Sequence, residues 1–285
     1  MWLVESSVRI AHHLGVSQLV IGLTIVAFGT SAPEFAVTIG AAIQGQSNIS
    51  VSNVIGSNVF NLGFILGGVS IVRAIGSSRR LIWRDGMILI ASTILILVFL
   101  WDYQLARIEG LFLFLGLIAY NLFLVLKKEK ADVESSRPQS RFSDTLLLVF
   151  SIGVIVMGGY LLRKGAVELA RAIGISEWVI GATVIAAGTS APEFATSLVA
   201  SLKGHHGISA GNLIGSCIYN ILGVLGLAGL LRPMVVATNV RSSIFMLIIL
   251  VLLAVAMLRT NAKLSRREGI VLVAVGILIW IIEFM

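Results

Sequence analysis

Long apolar blocks separated by short polar loops run along the chain from one end to the other. The blocks are about 20 residues long or longer, which is the length a helix needs to cross the roughly 30 Å hydrocarbon core of a bilayer. The first 14 residues look like part of a further helix. The predicted spans are 17–43, 48–73, 82–101, 105–127, 144–172, 176–202, 207–232, 240–259 and 264–284. The predicted fold class is therefore all-α, a polytopic membrane protein.

Composition supports a membrane protein and excludes several other classes. Of the 285 residues, 57% are hydrophobic and 12% are charged, whereas a soluble domain has about 45–50% and about 25%. A soluble enzyme, a nucleic-acid binder and a disordered chain are excluded, because none of them could hide this much apolar surface. We therefore expect the lipid bilayer as the surroundings and no nucleic-acid partner. The single cysteine rules out an intrachain disulfide.

The positions of the basic residues predict the orientation of the chain. The net charge is +7, and the basic residues lie in short loops between apolar blocks. If the longest polar stretch is cytoplasmic, 15 Lys and Arg residues lie on the cytoplasmic side and 6 on the other side. Cytoplasmic loops carry such an excess of positive charge. We expect a multi-pass protein of the plasma membrane, with residues 128–143 as a cytoplasmic hinge loop.

The chain contains an internal repeat with an offset of 159 residues. Residues 20–36 match residues 179–195 at 13 of 17 positions, and a second block that includes Asn53, Gly56, Ser57 and Asn61 recurs at the same offset. The prediction is a first repeat over 1–127, with spans 1–5, and a second repeat over 144–285, with spans 6–10. Five spans are an odd number, so the second repeat lies upside down relative to the first, as in many secondary transporters.

The same offset predicts that the first helix is incomplete. Met1 aligns with Tyr160, so the apolar residues 144–159 have no counterpart at the start of the chain. Residues 1–14 alone are too short to span a bilayer. We expect a full first span to precede Met1.

One acidic residue lies deep in an apolar block of each repeat. Glu34 is the only charged residue between Arg9 and Arg73, and Glu193 is the only one between Glu177 and Lys203. A charge at this depth costs at least about 2.5–3.5 kcal/mol, and such residues are usually functional. No lysine or arginine is near in sequence, so a bound cation or a proton must neutralise each carboxylate.

The residues around each glutamate predict a site made of oxygen atoms. Pro33 cannot bond to the carbonyl of Gly29, so the helix should break and free the carbonyls of Ala27 and Thr30. Hydroxyl and amide groups follow on one face of the next span, four residues apart. Such hard donors suit Ca²⁺ rather than Zn²⁺ or copper. The predicted donors are Ala27, Thr30, Ser31, Glu34, Ser57 and Asn61 in the first repeat, and Ala186, Thr189, Ser190, Glu193, Ser216 and Asn220 in the second.

With the motif GTSAPEF in both repeats, followed by SNVIGSNVFN in the first and GNLIGSCIYN in the second, the chain resembles the sodium/calcium exchangers and the wider cation/calcium antiporter superfamily. The resemblance covers essentially the whole chain. It implies that Glu34 and Glu193 are the central carboxylates, shared by Ca²⁺ and competing Na⁺. Thr30 and Thr189 would give carbonyl oxygens to Ca²⁺, and Asn61 and Asn220 would complete the centre.

The resemblance also implies two flanking Na⁺ sites, each built around one of the central glutamates. Ala27, Ser31 and Ser57 would form one of them with Glu34. Ala186, Ser190 and Ser216 would form the other with Glu193.

Two residues depart from the pattern of the resemblance. Asn220 stands where some relatives, especially those of the potassium-dependent branch, carry aspartate, and an amide adds no charge. Cys217 stands where the first repeat has Asn58. The incomplete first helix is a third departure, because that helix moves during alternating access in the family.

The leading interpretation is an antiporter, not an enzyme, that exchanges Ca²⁺ for Na⁺ at the membrane midplane. We expect no cofactor and a monomer. A Ca²⁺/H⁺ antiporter remains open because a buried glutamate can also hold a proton. The serine hydroxyls favour Na⁺, and the calcium/proton branch tends to carry an acid soon after its Gly-Asn, where this chain has LIGS. A transport-inactive fragment left by truncation is the other alternative, and a channel is the least favoured.

Overall fold

The computed structural model describes residues 2–127, 142–175 and 179–284, and helices make up most of it. The predicted hinge loop falls mainly on 128–141, outside the described residues, as do Glu177 and Trp178. The helices of the first repeat are α1 (Trp2–Leu14), α2 (Gln18–Thr30), α3 (Ala32–Ile43), α4 (Ser47–Val72), α5 (Leu81–Asp102) and α6 (Arg107–Leu126). Those of the second repeat are α7 (Phe142–Ala172), α8 (180–189), α9 (Ala191–Leu202), α10 (His206–Leu231), α11 (Val240–Arg259) and α12 (Arg266–Phe284).

The apolar helices have the length that a membrane requires. Among the described residues, α4, α5, α6, α10 and α11 are each long and apolar enough to cross a bilayer, and the bent pair α2–α3 makes a sixth span. This confirms the prediction of an all-α polytopic membrane protein. α1 has 13 residues and packs beside α7, where Arg9 Nε forms a 2.7 Å ion pair with Asp144 Oδ1.

Two short strand pairs show that the repeats run in opposite directions. β1 (Ile75–Gly76) pairs with β4 (Lys263–Leu264), and β2 (Gln104–Leu105) pairs with β3 (Met234–Val235). β1 and β2 flank α5, and β3 and β4 flank α11. The start of α5 therefore lies beside the end of α11, and the end of α5 beside the start of α11. Because α5 and α11 are equivalent at the 159-residue offset, their antiparallel arrangement shows that the second repeat is inverted.

Helices α4 and α10 form the centre of the molecule. In an apolar stretch of 18 residues in each helix, 78% is buried inside the protein in α4 and 89% in α10. The corresponding share is 28–44% in α5, α6 and α11. The outer helices leave large apolar side chains exposed, including Phe112, Ile118, Phe245 and Ile249. Such side chains suit contact with lipid, whereas the polar residues of α4 and α10 are enclosed by protein.

Small residues allow α10 to contact the backbone of α2. A Cβ atom at Gly215 would lie 2.9 Å from Leu23 Cα and from Ala27 Cβ. Close approach through small residues is a common basis of helix packing in membranes, where the lipid is as apolar as the side chains. This contact places Ser216, the next residue of α10, beside the end of α2.

Matched arginines join the two repeats at opposite faces. The Arg73 guanidinium donates to the carbonyl of Leu202 at 2.5 Å, and the Arg232 guanidinium donates to the carbonyl of Ile43 at 2.6 Å. Each arginine follows the central helix of one repeat and reaches the last turn of α3 or α9 in the other. A cation near these C-terminal carbonyls is also favoured by the helix dipole.

Candidate ion-binding site

The two predicted acids lie at the centre of the molecule with no exposed surface. Glu34 and Glu193 are both 0% exposed. Each lies in the first turn of a helix, α3 or α9, with proline at one of the first two positions. The N-terminal turn of a helix has unpaired N–H groups and a partial positive charge, which favour an anion. This local field lowers the cost of placing two carboxylates in the interior.

The helix breaks where the proline motif predicts it. Between α2 and α3 the axis bends by 47° at Ser31. The hydrogen bonds that cross this junction run from Ser31 N–H to the Ala27 carbonyl (3.0 Å) and from Phe35 N–H to the Ser31 carbonyl (3.1 Å). Neither of these hydrogen bonds has the carbonyl of Thr30 as its acceptor. The α8–α9 junction repeats this arrangement and bypasses the carbonyl of Thr189.

The alanine carbonyls differ from the expectation. The sequence predicts that the break frees the carbonyls of both Ala27 and Thr30. Instead, Ala27 accepts the Ser31 N–H, and Ala186 accepts the Ser190 N–H at 3.0 Å. The helix breaks only after Ser31 and Ser190. The N–H groups of these two serines therefore still form the last regular helical hydrogen bonds, each to the alanine four residues earlier. The threonine hydroxyls also lie within hydrogen-bonding distance of these carbonyls, with Thr30 Oγ1 3.4 Å from the Ala27 oxygen and Thr189 Oγ1 3.2 Å from the Ala186 oxygen.

Each glutamate is hydrogen-bonded by a serine of the opposite repeat. Ser31 Oγ donates to Glu193 Oε1 and Ser190 Oγ donates to Glu34 Oε1, both at 3.0 Å. The two contacts are equivalent under the repeat. Glu34 and Glu193 therefore belong to one site at the interface between the repeats.

A second pair of contacts brings the threonines and the other serines to the same interface. The hydroxyls of Ser57 and Thr189 lie 3.3 Å apart, and those of Thr30 and Ser216 lie 3.5 Å apart. Both contacts again join one repeat to the other. The structure thus brings together the predicted hydroxyl donors of both repeats around the two glutamates.

Several buried polar atoms at this centre have no protein partner among the described residues. They include Glu34 Oε2, Glu193 Oε2, Asn220 Oδ1 and both polar atoms of the Asn61 amide. None of the ion pairs in the described part of the chain involves Glu34 or Glu193. A buried polar group without a partner is costly. A cation fits this set, because it would satisfy several of the oxygens at once and balance the carboxylate charge.

The donors are mainly oxygen atoms. The described residues contain no group of three or more His, Cys, Asp or Glu side chains arranged to hold a metal ion. Two carboxylates with neutral hydroxyl, amide and carbonyl oxygens match the ligands of hard cations such as Ca²⁺.

Comparison with known proteins agrees with this geometry. The family model described as sodium/calcium exchanger protein matches residues 1–126 and 143–285. The chain belongs to the sodium/calcium exchanger family. Among relatives, the putative antiporter CaxA of Alkalimonas amylolytica is 38% identical over 280 residues, which cover 92% of this chain and 87% of that protein. The sodium/calcium exchanger MaX1 of Methanosarcina acetivorans is 33% identical over 320 residues, which cover 95% and 90%.

A solved structure of the sodium-calcium exchanger NCX_Mj shares the fold. It superposes with a TM-score of 0.83 at 32% identity, covering 97% of this chain and 91% of that one. The resemblance drawn from the paired motifs is thereby confirmed. The chain is a membrane transport protein of the exchanger family.

A cavity of about 410 Å³ leads toward the candidate site from one face. Its lining includes Gln44 and Gln46 after the end of α3, Pro33 at the start of α3, and Thr189. Arg232, which bonds Ile43, precedes β3 by two residues. The end of α3, where the cavity opens, therefore lies on the same face as the β2–β3 pair. This is the face at which α6 begins. The cavity thus reaches Thr189 from this face, while Glu34 and Glu193 stay enclosed.

Two buried asparagines that the sequence analysis did not assign join the helices around the candidate site. Asn53 Nδ2 donates to Thr38 Oγ1 at 2.9 Å, and Asn212 Nδ2 donates to Ser197 Oγ at 3.0 Å. Asn212 Oδ1 also accepts the hydroxyl of Thr30 at 3.0 Å. Asn212 is the equivalent of Asn53 at the repeat offset. This recurrence is the sequence signal that could have identified both residues. They hold α3 and α9 against α4 and α10.

Proposed function

We propose that this chain exchanges Ca²⁺ for Na⁺ by alternating access, with Glu34 and Glu193 as the shared ion-binding carboxylates. The observation that carries the proposal is the pair of buried carboxylates at the interface of two inverted repeats. Each has one oxygen bonded to a serine of the opposite repeat and one oxygen without a protein partner among the described residues.

Charge balance supports a common site for the two cations. Two ionised glutamates carry a formal charge of −2, which one Ca²⁺ or two Na⁺ ions neutralise. At the depth of a membrane interior an uncompensated charge is costly, so occupancy by one cation species or the other is favoured over an empty site. Competition for the same carboxylates provides the coupling that exchange requires.

The neutral donors support separate positions for the ions. In this proposal Ca²⁺ lies between the carboxylates and takes the bypassed carbonyls of Thr30 and Thr189. Asn61 and Asn220 complete this central position. Two flanking Na⁺ positions use the serine hydroxyls together with the alanine carbonyls, where a Na⁺ ion would take the place of the threonine hydroxyl. The first contains Ala27, Ser31, Ser57 and Glu34, and the second contains Ala186, Ser190, Ser216 and Glu193.

Alternating access follows from the inverted repeats in this proposal. In such transporters the site stays near the midplane, and the two repeats exchange roles so that the opening moves from one face to the other. The cavity that reaches Thr189 from the β2–β3 face supports an opening on that face in one of these states. The opposite state would open near the β1–β4 face.

The charge distribution supports an orientation with residues 128–143 in the cytoplasm of a cell with this protein in its plasma membrane. The 15-to-6 division of basic residues is the supporting observation. A cysteine placed at Ser136 in a Cys217→Ser background should resist a membrane-impermeant maleimide in intact cells and react after permeabilisation. Labelling in intact cells would reverse the orientation.

The proposal is tested by ⁴⁵Ca²⁺ uptake into proteoliposomes driven by an outward Na⁺ gradient. Uptake should require the Na⁺ gradient and survive a proton uncoupler. Glu34→Gln and Glu193→Gln should each abolish it. Glu168→Gln is the matched control, because this glutamate is exposed on α7 and its substitution should keep full activity.

The opposite results identify the alternatives. Uptake that needs a pH gradient and is indifferent to Na⁺ would establish a Ca²⁺/H⁺ antiporter instead. Near-normal uptake by either central variant, in a sample that elutes as folded protein, would contradict the role of the carboxylates. No uptake under any gradient would contradict transport by this chain as it stands.

A further inference from the structure

Asn58 and Cys217 occupy equivalent positions of the two repeats beside the candidate site. Each lies three residues before an asparagine of the site, Asn61 or Asn220, and each is 0% exposed. The 159-residue offset relates Asn58 to Cys217 and Asn61 to Asn220. The repeats thus place an amide at this position in one half and a thiol in the other.

The Asn58 amide links the two central helices through hydrogen bonds with a fixed direction. Its Nδ2 donates to the backbone carbonyl of Cys217 at 3.2 Å, and its Oδ1 accepts from Asn220 Nδ2 at 3.1 Å. A backbone carbonyl can only accept. The Asn58 NH₂ must therefore face Cys217 and its oxygen must face Asn220, because the opposite placement of the amide would set two acceptors against each other.

This fixed direction determines the orientation of Asn220. The Asn58 oxygen can only accept, so Asn220 must present its NH₂ group to it. The oxygen of Asn220 is then the end left over, and Asn220 Oδ1 has no partner among the described residues. An amide held in this way offers a cation its oxygen without any cost of reorientation.

The equivalent contact, between Cys217 and Asn61, does not fix the orientation of an amide. The thiol of Cys217 lies against the Asn61 side chain, yet neither Nδ2 nor Oδ1 of Asn61 has a hydrogen bond of normal geometry in the described part of the chain. A thiol is a weak donor and a weak acceptor. It therefore does not select between the two orientations of the Asn61 amide.

We propose that Asn58 is a positioning residue that aims the Asn220 oxygen at the bound cation, and that Cys217 leaves Asn61 without this constraint, so the two amides contribute unequally. The inference rests on the proposed function, since it concerns the same ion site. It predicts that the binding contribution of Asn220 depends on Asn58, while that of Asn61 does not depend on the thiol.

The test is a double-mutant cycle measured as the KM for Ca²⁺ in Na⁺-driven uptake. Asn58→Leu removes both hydrogen bonds with little change of volume and should raise KM about 3- to 10-fold, as the loss of one oriented hydrogen-bonding group does. Asn220→Leu should raise KM at least as much. The double variant should match Asn220→Leu within about twofold, because a residue that acts through another gives a non-additive effect.

Two substitutions at Cys217 test the other half without disturbing Asn58. Cys217→Ala should leave KM unchanged within about twofold, because the thiol imposes no orientation. Cys217→Asn should lower KM about threefold. The new amide could donate to the backbone carbonyl of Asn58 and accept from the Asn61 amide, as Asn58 does with Cys217 and Asn220. In that background Asn61→Leu should become more damaging than in the unmodified chain.

The outcomes separate this inference from the proposed function. If Glu34→Gln abolishes uptake but Asn58→Leu leaves KM unchanged, the positioning role is wrong and the carboxylate site stands. Additive effects of Asn58→Leu and Asn220→Leu would also overturn it. If Asn58→Leu does not yield folded protein, the Cys217→Asn result decides alone, and an unchanged or raised KM in that folded variant would count against the inference. Failure of both glutamate variants to affect uptake would instead refute the site itself.

Discussion

The contact of α10 with α2 at Gly215 gives a prediction whose size can be worked from the structure. Gly215→Ala would place a Cβ atom 2.9 Å from Leu23 Cα, where ordinary contact begins at 3.4 Å. The obstacle is backbone, so the helices must separate by about half an ångström. Overpacking of this kind costs about 1–3 kcal/mol, and the better helix propensity of alanine returns at most about 1 kcal/mol.

The separation should also reach the ion site. The Thr30 hydroxyl contacts Asn212 Oδ1 at 3.0 Å and Ser216 Oγ at 3.5 Å, and the longer contact would pass beyond hydrogen-bonding distance. We therefore expect Gly215→Ala to lower the midpoint of thermal unfolding in detergent by several degrees and to raise the KM for Ca²⁺.

A matched control is available on α7, where a Cβ atom at Gly153 would meet no other atom within 4 Å. Gly153→Ala should leave stability equal or slightly higher, and it should leave KM unchanged. The reasoning would be refuted if Gly215→Ala behaved like Gly153→Ala in both measurements, because the α2–α10 contact would then not set the geometry of the site.

Two further predictions concern charge. Because Asn220 adds no charge to the −2 of the glutamates, uptake should continue when K⁺ is replaced by choline on both sides, and Asn220→Asp should make it sensitive to K⁺ or pH. A strict requirement for K⁺ in the unmodified chain would show that the amide does not set ion dependence. Arg232→Ala should lower stability by about 1 kcal/mol through loss of the bond to the Ile43 carbonyl, and Arg73→Ala should do the same at Leu202. Both are compared by thermal unfolding with Arg79→Ala, which removes an exposed side chain, and equal midpoints for all three would contradict the capping role.

The sequence was sufficient to predict the elements that depend on local rules. Proline in a repeated motif predicts the two helix breaks, and five spans per repeat predict the inversion that the β1–β4 and β2–β3 pairs display. The placement of Glu34 and Glu193 in one site followed from their equivalence under the repeat. All of these depend on residue type and spacing along the chain.

The sequence was not sufficient where the outcome depends on how helices pack. The hydrogen bond from Ser31 to Glu193, 162 residues away, requires a particular depth of α2 against α9. The chain of amides through Asn58 requires a register between α4 and α10 that no spacing rule contains. The occupied carbonyl of Ala27 depends on the one residue at which the helix breaks, which the motif fixes only approximately.

The most direct test of the central claim is equilibrium binding of ⁴⁵Ca²⁺ to the purified chain in detergent. The account predicts one Ca²⁺ per chain at saturation, displaced by Na⁺, because a formal charge of −2 on Glu34 and Glu193 balances one divalent cation. Glu34→Gln and Glu193→Gln should each abolish this binding, while Glu168→Gln should retain it. Saturable binding that persists in either central variant, or that Na⁺ fails to displace, would contradict a shared site formed by the two glutamates.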